Sequence, residues 1–497
     1  MVVLNRISKI WFQERLDLET KMPLYRELYE LLKLNIENGN LPRGNYLTSS
    51  RELAEALNLS RSTVNRAYEL LVFDGLVTAE IGKGYVIEFQ VQELHRNFNG
   101  SEFDNDRLSD VAQSFLKVVQ ADNHGAGESD GLALAFRPGV PPVDVFPVRR
   151  WMSLTQKYWK EIQFSSLNYK PTSGVQSLKE TIANYLRIDR NIQCYPEQVI
   201  VVSGSLQSLY LIANTLVNPG DLVFAENPTF ENVVSIFKGM RADLSALELD
   251  ESGAVVPCIN NLTKNPKLVH LTPSCHFPLG MEMTDNRKKE WIDFARNHQC
   301  YLIENDYEHE MVHYKREKTT LHSLDNSQRT VYISTFNRLL HPSIRIGYMV
   351  VPFDLLPAVE ALMNHSHRFV PPSIQMVLNE FIKQSFLQIH MKNVWQISND
   401  RKKAFLASAK EFLPHWQFEQ TPALHILGSS NFQNMKTGSE IASDILVSRR
   451  LREHNIISQS LSSLYFDGRT QEGLILGYSS VPPSVISQKI QQWSLLF

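Results

Sequence analysis

Apolar and polar positions along the chain fall into three zones. Residues 23–37 (PLYRELYELLKLNIE) repeat apolar side chains at Leu24, Leu28, Leu31, Leu32 and Ile36, the stripe of an amphipathic helix. A Pro/Gly turn, LPRGNYL, follows. Ser49 or Ser50 can then cap a helix carrying Leu53, Ala54 and Leu57; Asn58 breaks it, and Ser60 caps another carrying Val64, Ala67, Tyr68 and Leu71. The segment TAEIGKGYVIEF predicts a hairpin with Gly82, Lys83 and Gly84 at its tip. Residues 91–128 are polar, with a short helix expected around 111–119 and a Gly/Ser/Asp-rich end, the composition of a linker. From Gly131 onward, strand-like apolar runs at 199–202, 222–225, 268–271, 301–304 and 331–334 alternate with helical segments. That alternation predicts an α/β domain with a mostly parallel central sheet and helices on both faces. The expected division is 1–90, a linker at 91–128, and 129–497.

Composition narrows the function classes. The chain has 497 residues, 43% hydrophobic and 21% charged, room for more than one core. A net charge of −3 gives no global signal for nucleic acid or membrane. Cys194, Cys258, Cys275 and Cys300 are scattered without a CxxC pair, which argues against a disulfide framework or zinc site and suits a reducing cytoplasm. The N-terminal stretch soon becomes charged and lacks a small-residue cleavage site, and no run of about 18 apolar residues occurs, so neither secretion nor a membrane span is expected.

The first zone has the parts of a DNA reader. Two short helices across a tight turn, the second opening Ser60-Arg61-Ser62-Thr63, are what a helix-turn-helix requires, because its first turn must carry small donors and an arginine. Residues 1–90 hold 11 Lys/Arg against 12 Asp/Glu, so the positive charge is local: Arg43, Arg51, Arg61, Arg66 and Lys83 gather on turn, recognition helix and wing. A small protein-interaction domain is the alternative reading of the pattern. The whole run resembles the winged helix-turn-helix of the GntR superfamily. The resemblance makes Arg51, Arg61 and Thr63 DNA contacts and Gly82–Gly84 the wing tip; Asn65 stands where some branches carry arginine.

The third zone carries its own motifs. Residues 331–350 (VYISTFNRLLHPSIRIGYMV) are a strand, a hydroxyl turn at Thr335, a basic residue at Arg338 and, seven positions on, Arg345, suited to gripping a phosphate. In VVSGSLQSL, Ser203, Gly204 and Ser205 offer amides and hydroxyls at a helix N-terminus, a natural phosphate seat. These segments, with LNYKPTSGVQSLKETIANYL (167–186), AENPTFENV (225–233), LTPSCHFPLGMEM (271–283) and LIENDYEHEM (302–311), stand in the order of a fold-type I aminotransferase, a pyridoxal phosphate (PLP) enzyme. With the first zone, the chain resembles the MocR/GabR-type regulators, a winged helix fused to an aminotransferase-like domain, over roughly residues 22–497. The resemblance implies a smaller C-terminal α+β subdomain at about 385–497 and places Phe230 against a cofactor ring.

The departures from that pattern concern chemistry. Arg338 stands at the Schiff-base lysine; guanidinium does not lose its proton in a protein and cannot form the imine. No lysine lies between Lys318 and Lys383 to replace it. LIENDYEHEM matches a segment normally reading Glu-Asp-Asp-Tyr-Asp, so Asn305 replaces the carboxylate that keeps the pyridine nitrogen protonated, and the electron sink is weakened. Residues two apart on a strand share a face, so Asn305 and Tyr307 should point together and Asp306 away. Ser480 falls where relatives often place a substrate-binding arginine.

The bland readings are specific. Phe230 and Tyr307 also suit core aromatics, and Arg345 a surface or interface cation. Adjacent Cys275 and His276 rarely face one another as a dyad. His309 and His313 have helical spacing but no third ligand, so a solvated face is expected and no metal. The expected protein is a cytoplasmic DNA-binding transcriptional regulator of promoter or operator DNA whose aminotransferase-like domain binds a small anionic effector or dimerises, without catalysis. No cofactor is expected to be covalently bound. PLP, or a PLP-like anion, held non-covalently is the intermediate case, and a working transaminase or a purely structural interaction protein are the rivals. The family resemblance implies a homodimer swapped head-to-tail.

Overall fold

A computed structural model describes residues 23–38, 40–80, 82–88, 108–122, 135–162, 171–258, 264–312, 319–432 and 443–497. It divides into two compact units, Met1–Arg107 and Leu108–Phe497.

In the first unit, α1 (Leu24–Glu37), α2 (Ser50–Leu57) and α3 (Arg61–Phe73) precede a hairpin of β1 (Val77–Glu80) and β2 (Gly84–Ile87). The helical stripes meet in one core: Leu28, Leu32 and Ile36 pack with Leu53, Leu57, Val64, Ala67, Tyr68 and Leu71. The boundaries are set by side-chain chemistry. Ser49 Oγ accepts the Glu52 N–H at 3.3 Å and Ser60 Oγ the Thr63 N–H at 3.1 Å, satisfying amides that have no partner inside the helix. Asn58 ends α2 in the left-handed region, φ 54°, which a short polar side chain tolerates. The strands pair antiparallel from Val77 opposite Ile87 to Glu80 opposite Gly84. This is the winged helix-turn-helix the pattern predicts.

The second unit opens with α4 (Asp110–Asp122). The expected short helix at 111–119 therefore exists, but it is not free linker: it packs on the helix Glu231–Gly239. Phe115 is the reason, because its ring lies where a Cβ at Gly239 would come within 2.4 Å. Residues 91–107 and 123–128 of the expected linker lie outside the described residues.

The main sheet has seven strands: β3 (Val199–Val202), β4 (Leu222–Glu226), β5 (Asp243–Leu247), β8 (Leu268–Leu271), β9 (Tyr301–Asn305), β10 (Thr330–Thr335) and β11 (Gly347–Val350); β6 (Leu249–Asp250) and β7 (Gly253–Ala254) form a separate short pair. The order is β3-β11-β10-β9-β8-β4-β5, all neighbours parallel except at β11, which is antiparallel to both of its own. Both faces are dry, as alternation along each strand shows. Val199, Val201, Tyr332, Tyr348 and Val350 enter one core, while Ile200, Val202, Val331, Ile333 and Met349 enter the other. Beyond the long helix Phe386–Phe412 lies an antiparallel sheet of β12 (Gln417–Gln420), β13 (His425–Ser429), β15 (Leu474–Gly477) and β14 (Gln459–Ser460), in that order. The helices Asp444–Glu453 and Pro483–Ser494 cover it through Leu451, Ile486 and Trp493, giving the small α+β subdomain. Among the described residues no helix is long and apolar enough to cross a membrane.

Ser60→Ala should cost about 1 kcal/mol of helix stability by stranding the Thr63 amide. Amide hydrogen exchange of the full chain should then show α3 less protected by roughly fivefold; unchanged exchange would mean the cap carries no stability.

Candidate functional site

In the first unit, the turn between α2 and α3 presents a compact donor set. Ser60 Oγ lies 2.8 Å from Ser62 Oγ and 2.7 Å from Thr63 Oγ1, and Arg61 Nε reaches Ser50 Oγ at 3.4 Å. Arg43, Arg51, Arg61, Ser62, Arg66, Gly82, Lys83 and Gly84 are exposed, and Thr63 and Asn65 half-buried. The Arg66 guanidinium rests 5.1 Å from the Tyr25 ring centroid. Two of the cations have carboxylate partners that the sequence reading missed: Arg43 pairs with Glu88 at 3.1 Å and Lys83 with Glu80 at 3.2 Å. Exposed pairs of this kind are weak, so a phosphate can displace the carboxylate. Gly82 and Gly84 have φ of 82° and 112°, which lets the wing tip turn without a side-chain penalty.

In the second unit, the loops after β3, β4, β8, β9 and β10 come together at the strand C-termini, where open parallel sheets build sites. Ser203, Gly204 and Ser205 lie at the start of the helix Ser205–Leu216, with Gly204 at φ 144°. Two of the chain's own side chains already engage this seat. Gln207 Oε1 accepts the Ser203 N–H at 2.6 Å, and Asn337 Nδ2 donates to Ser203 O at 3.4 Å. Asn337 is wedged: a Cβ on Gly204 would come within 3.0 Å of its Nδ2, while its Oδ1 accepts the Ile346 N–H at 2.9 Å. Thr335 Oγ1 accepts the Asn337 N–H at 3.1 Å and donates to Ile346 O at 3.3 Å. Arg345 sits at φ 50° and is exposed.

Phe230 and Tyr307 meet with centroids 5.0 Å apart and rings edge-on. Phe277 stacks on Phe230 at 3.9 Å and 5°, a partner the sequence reading did not single out. Arg338 adjoins both rings, its guanidinium carbon 5.2 Å from the Tyr307 centroid and 5.7 Å from that of Phe230. Its Nη1 donates to Glu308 Oε1 at 2.9 Å, and Glu308 Oε2 accepts the Leu424 N–H from the small subdomain at 2.9 Å. Gly139 makes room for this: a Cβ there would lie 1.7 Å from Arg338 Nη1.

Asn305 lies 3.2 Å, Nδ2 to Nε2, from His270, whose pKa burial lowers to about 3, leaving it neutral. Asp306 does point the other way, into a fully buried pair with Arg190 that also takes the Tyr332 hydroxyl at 2.7 Å. Burial alone would raise the Asp306 carboxyl, but the Arg190 guanidinium overrides it and holds the group below the usual carboxylate range. His309 is not on a solvated face: it is buried beside this pair, 3.1 Å from the Tyr185 hydroxyl, with its pKa lowered by burial to about 4. His313 lies outside the described residues. Burial raises the Cys275 thiol and lowers His276 to about 3, the reverse of a thiolate–imidazolium dyad. At the Ser480 position the nearby guanidinium belongs instead to Arg401, which donates to Ser479 O and to Asp144.

The cofactor implied by the resemblance does not fit this set. The position that the resemblance gives to the imine lysine is Arg338, engaged by a buried carboxylate. The ring-nitrogen position carries a neutral Asn305, whose Oδ1 is buried without a partner among the described residues.

Comparison with known proteins places both units. The family model for aminotransferase class I and II matches residues 139–466, and that for bacterial regulatory proteins of the gntR family matches 24–87. "Probable rhizopine catabolism regulatory protein MocR" of Rhizobium meliloti is 27% identical over 477 residues, 96% of this chain and 94% of that protein. "Uncharacterized HTH-type transcriptional regulator YdeL" of Bacillus subtilis is 28% identical over 398 residues, 79% of this chain and 80% of that protein. Among solved structures, an archaeal alanine:glyoxylate aminotransferase superposes with a TM-score of 0.66 at 20% identity, covering 79% of this chain and 96% of the other. The Pyrococcus horikoshii kynurenine aminotransferase gives 0.65 at 22%, covering 78% and 94%. These structures share the fold.

Asp306→Asn should strand Arg190 without its counter-charge and cost about 3–5 kcal/mol, read as a lower urea midpoint. The native carboxyl is held low, so its stabilisation is present above the unfolded value of about 3.9 and is lost as pH falls below it. The variant should lose less than wild type across that acid window; an equal loss would remove the pair from the account.

Proposed function

The chain belongs to the aminotransferase class I and II family and carries a gntR-family helix-turn-helix ahead of that domain, and from this premise we propose that its second unit is a sensor without transaminase chemistry. The chain is a transcription regulator of the MocR kind in its architecture: a relative along nearly its whole length carries that name. The observation that carries the proposal is the Arg338–Glu308 pair at 2.9 Å. A protonated guanidinium held by a carboxylate supplies neither the free amine of an imine nor a base for proton transfer. Asn305 removes the charge that would drain electrons from a pyridine ring. Three losses of different chemistry, at Arg338, Asn305 and Ser480, favour a regulatory use of the pocket over a weak enzyme.

The reading extends to partners. Arg51, Arg61 and Arg66, with Ser62 and Thr63, form the DNA-contacting face, and Arg43 and the Gly82–Lys83–Gly84 tip flank it. A homodimer in the cytoplasm would present two such modules to paired half-sites. Exposed Val148, Met152 and Trp159 support self-association, because their spacing puts all three on one side of the helix Val148–Glu161.

Gel retardation on the chain's own promoter region tests the DNA reading. Binding should weaken steeply with salt, and Arg61→Ala should lower affinity by about tenfold or more. Undiminished binding by Arg61→Ala would remove α3 as the reading helix.

A further inference from the structure

Arg338 spends only one corner of its guanidinium on Glu308. Nη1 makes that bond at 2.9 Å, while Nε and Nη2 meet no acceptor among the described residues. The two partners differ in access: the Arg338 side chain is 28% exposed and that of Glu308 1%. Solvent, and anything dissolved in it, therefore reaches the arginine and not the carboxylate. The orientation of the guanidinium is fixed from behind, since Glu308 is itself held by the Leu424 N–H at 2.9 Å and Gly139 closes against Nη1. The rings of Tyr307 and Phe230 flank it.

We propose that Arg338 is the anchor of a binding site for a small, singly charged carboxylate carried on an apolar or aromatic body. The proposal rests on reading the second unit as a sensor. The free Nε–Nη2 edge is a planar pair of donors that matches the two oxygens of a carboxylate. Glu308 is the positioning residue, and it also sets the charge that is accepted. Arg338 and Glu308 together sum to zero, so a monoanion completes the fork at little cost, whereas a dianion brings a second negative charge beside a buried carboxylate. Of the two rings only Phe230 is partly exposed, and it supplies apolar surface for the body of the ligand; Tyr307 is buried behind it. Neither an aldehyde nor an amine on the ligand is required, and no covalent bond forms.

Calorimetry on the full chain with benzoate, its neutral isostere benzamide and inorganic phosphate tests this directly. Benzoate should bind saturably, phosphate more weakly and benzamide not at all. Arg338→Lys keeps the charge but loses the fork, and should weaken benzoate binding by about tenfold or more. Glu308→Gln raises the local charge by one and should narrow or invert the preference for benzoate over phosphate, a change that a merely structural Glu308 would not produce. Absence of benzoate binding, equal binding of benzoate and benzamide, or unaltered selectivity in Glu308→Gln would each overturn the proposal. Promoter DNA retardation by the same samples keeps the two readings separate. Loss of benzoate binding with DNA binding intact contradicts only the carboxylate site, while failure of wild type to bind DNA contradicts the regulator.

Discussion

The ion pair between Arg338 and Glu308 sets the terms for the whole cleft of the second unit. The Arg338 guanidinium lies against the rings of Phe230 and Tyr307 and keeps partial access to solvent, with a carboxylate beside it. Glu308 supplies it from a buried position, and its second oxygen reaches the backbone of the small subdomain at Leu424. The pair therefore joins the loops after β9 and β10 to that subdomain, and the absent side chain of Gly139 leaves the space in which it forms.

The neighbouring substitutions make sense against that charge. Asn337 sits beside the start of the helix Ser205–Leu216, its amide bonded to Ser203 O and the Ile346 N–H. Asn305 leans on a neutral His270 instead of presenting a negative charge. The scaffold beneath is conventional: a mostly parallel sheet, dry on both faces, with Arg190 and Asp306 paired under the loops. Framework and reactive atoms have parted company, which is how one fold serves different functions.

Much of this was legible in the sequence because period and capping are local. Ser49, Ser60 and Asn58 bound their helices where their chemistry says they should, and the apolar runs at 199–202 and 268–271 became strands at those residues. The antiparallel β11 was read only as part of a motif, since a short apolar run does not reveal its direction. α4 looked like linker because the residue that docks it, Phe115, meets Gly239 far along the chain. Arg338 stood out at once as the wrong residue for its place, yet Glu308 did not, because a Glu at a usual Asp position looks conservative until the structure shows what it holds. Neither the exposure of Arg345 nor the burial of His309 beside Asp306 is legible in the sequence. Both depend on how distant segments pack, which no local pattern encodes.

The sensor reading requires that this domain form no imine. Purified full chain incubated with pyridoxal phosphate, treated with borohydride and peptide-mapped by mass spectrometry tests that requirement. No lysine should carry a stoichiometric reduced adduct, and no absorbance band of a bound aldimine should appear before reduction. A single lysine labelled in full yield, with a saturable visible band that reduction abolishes, would contradict it.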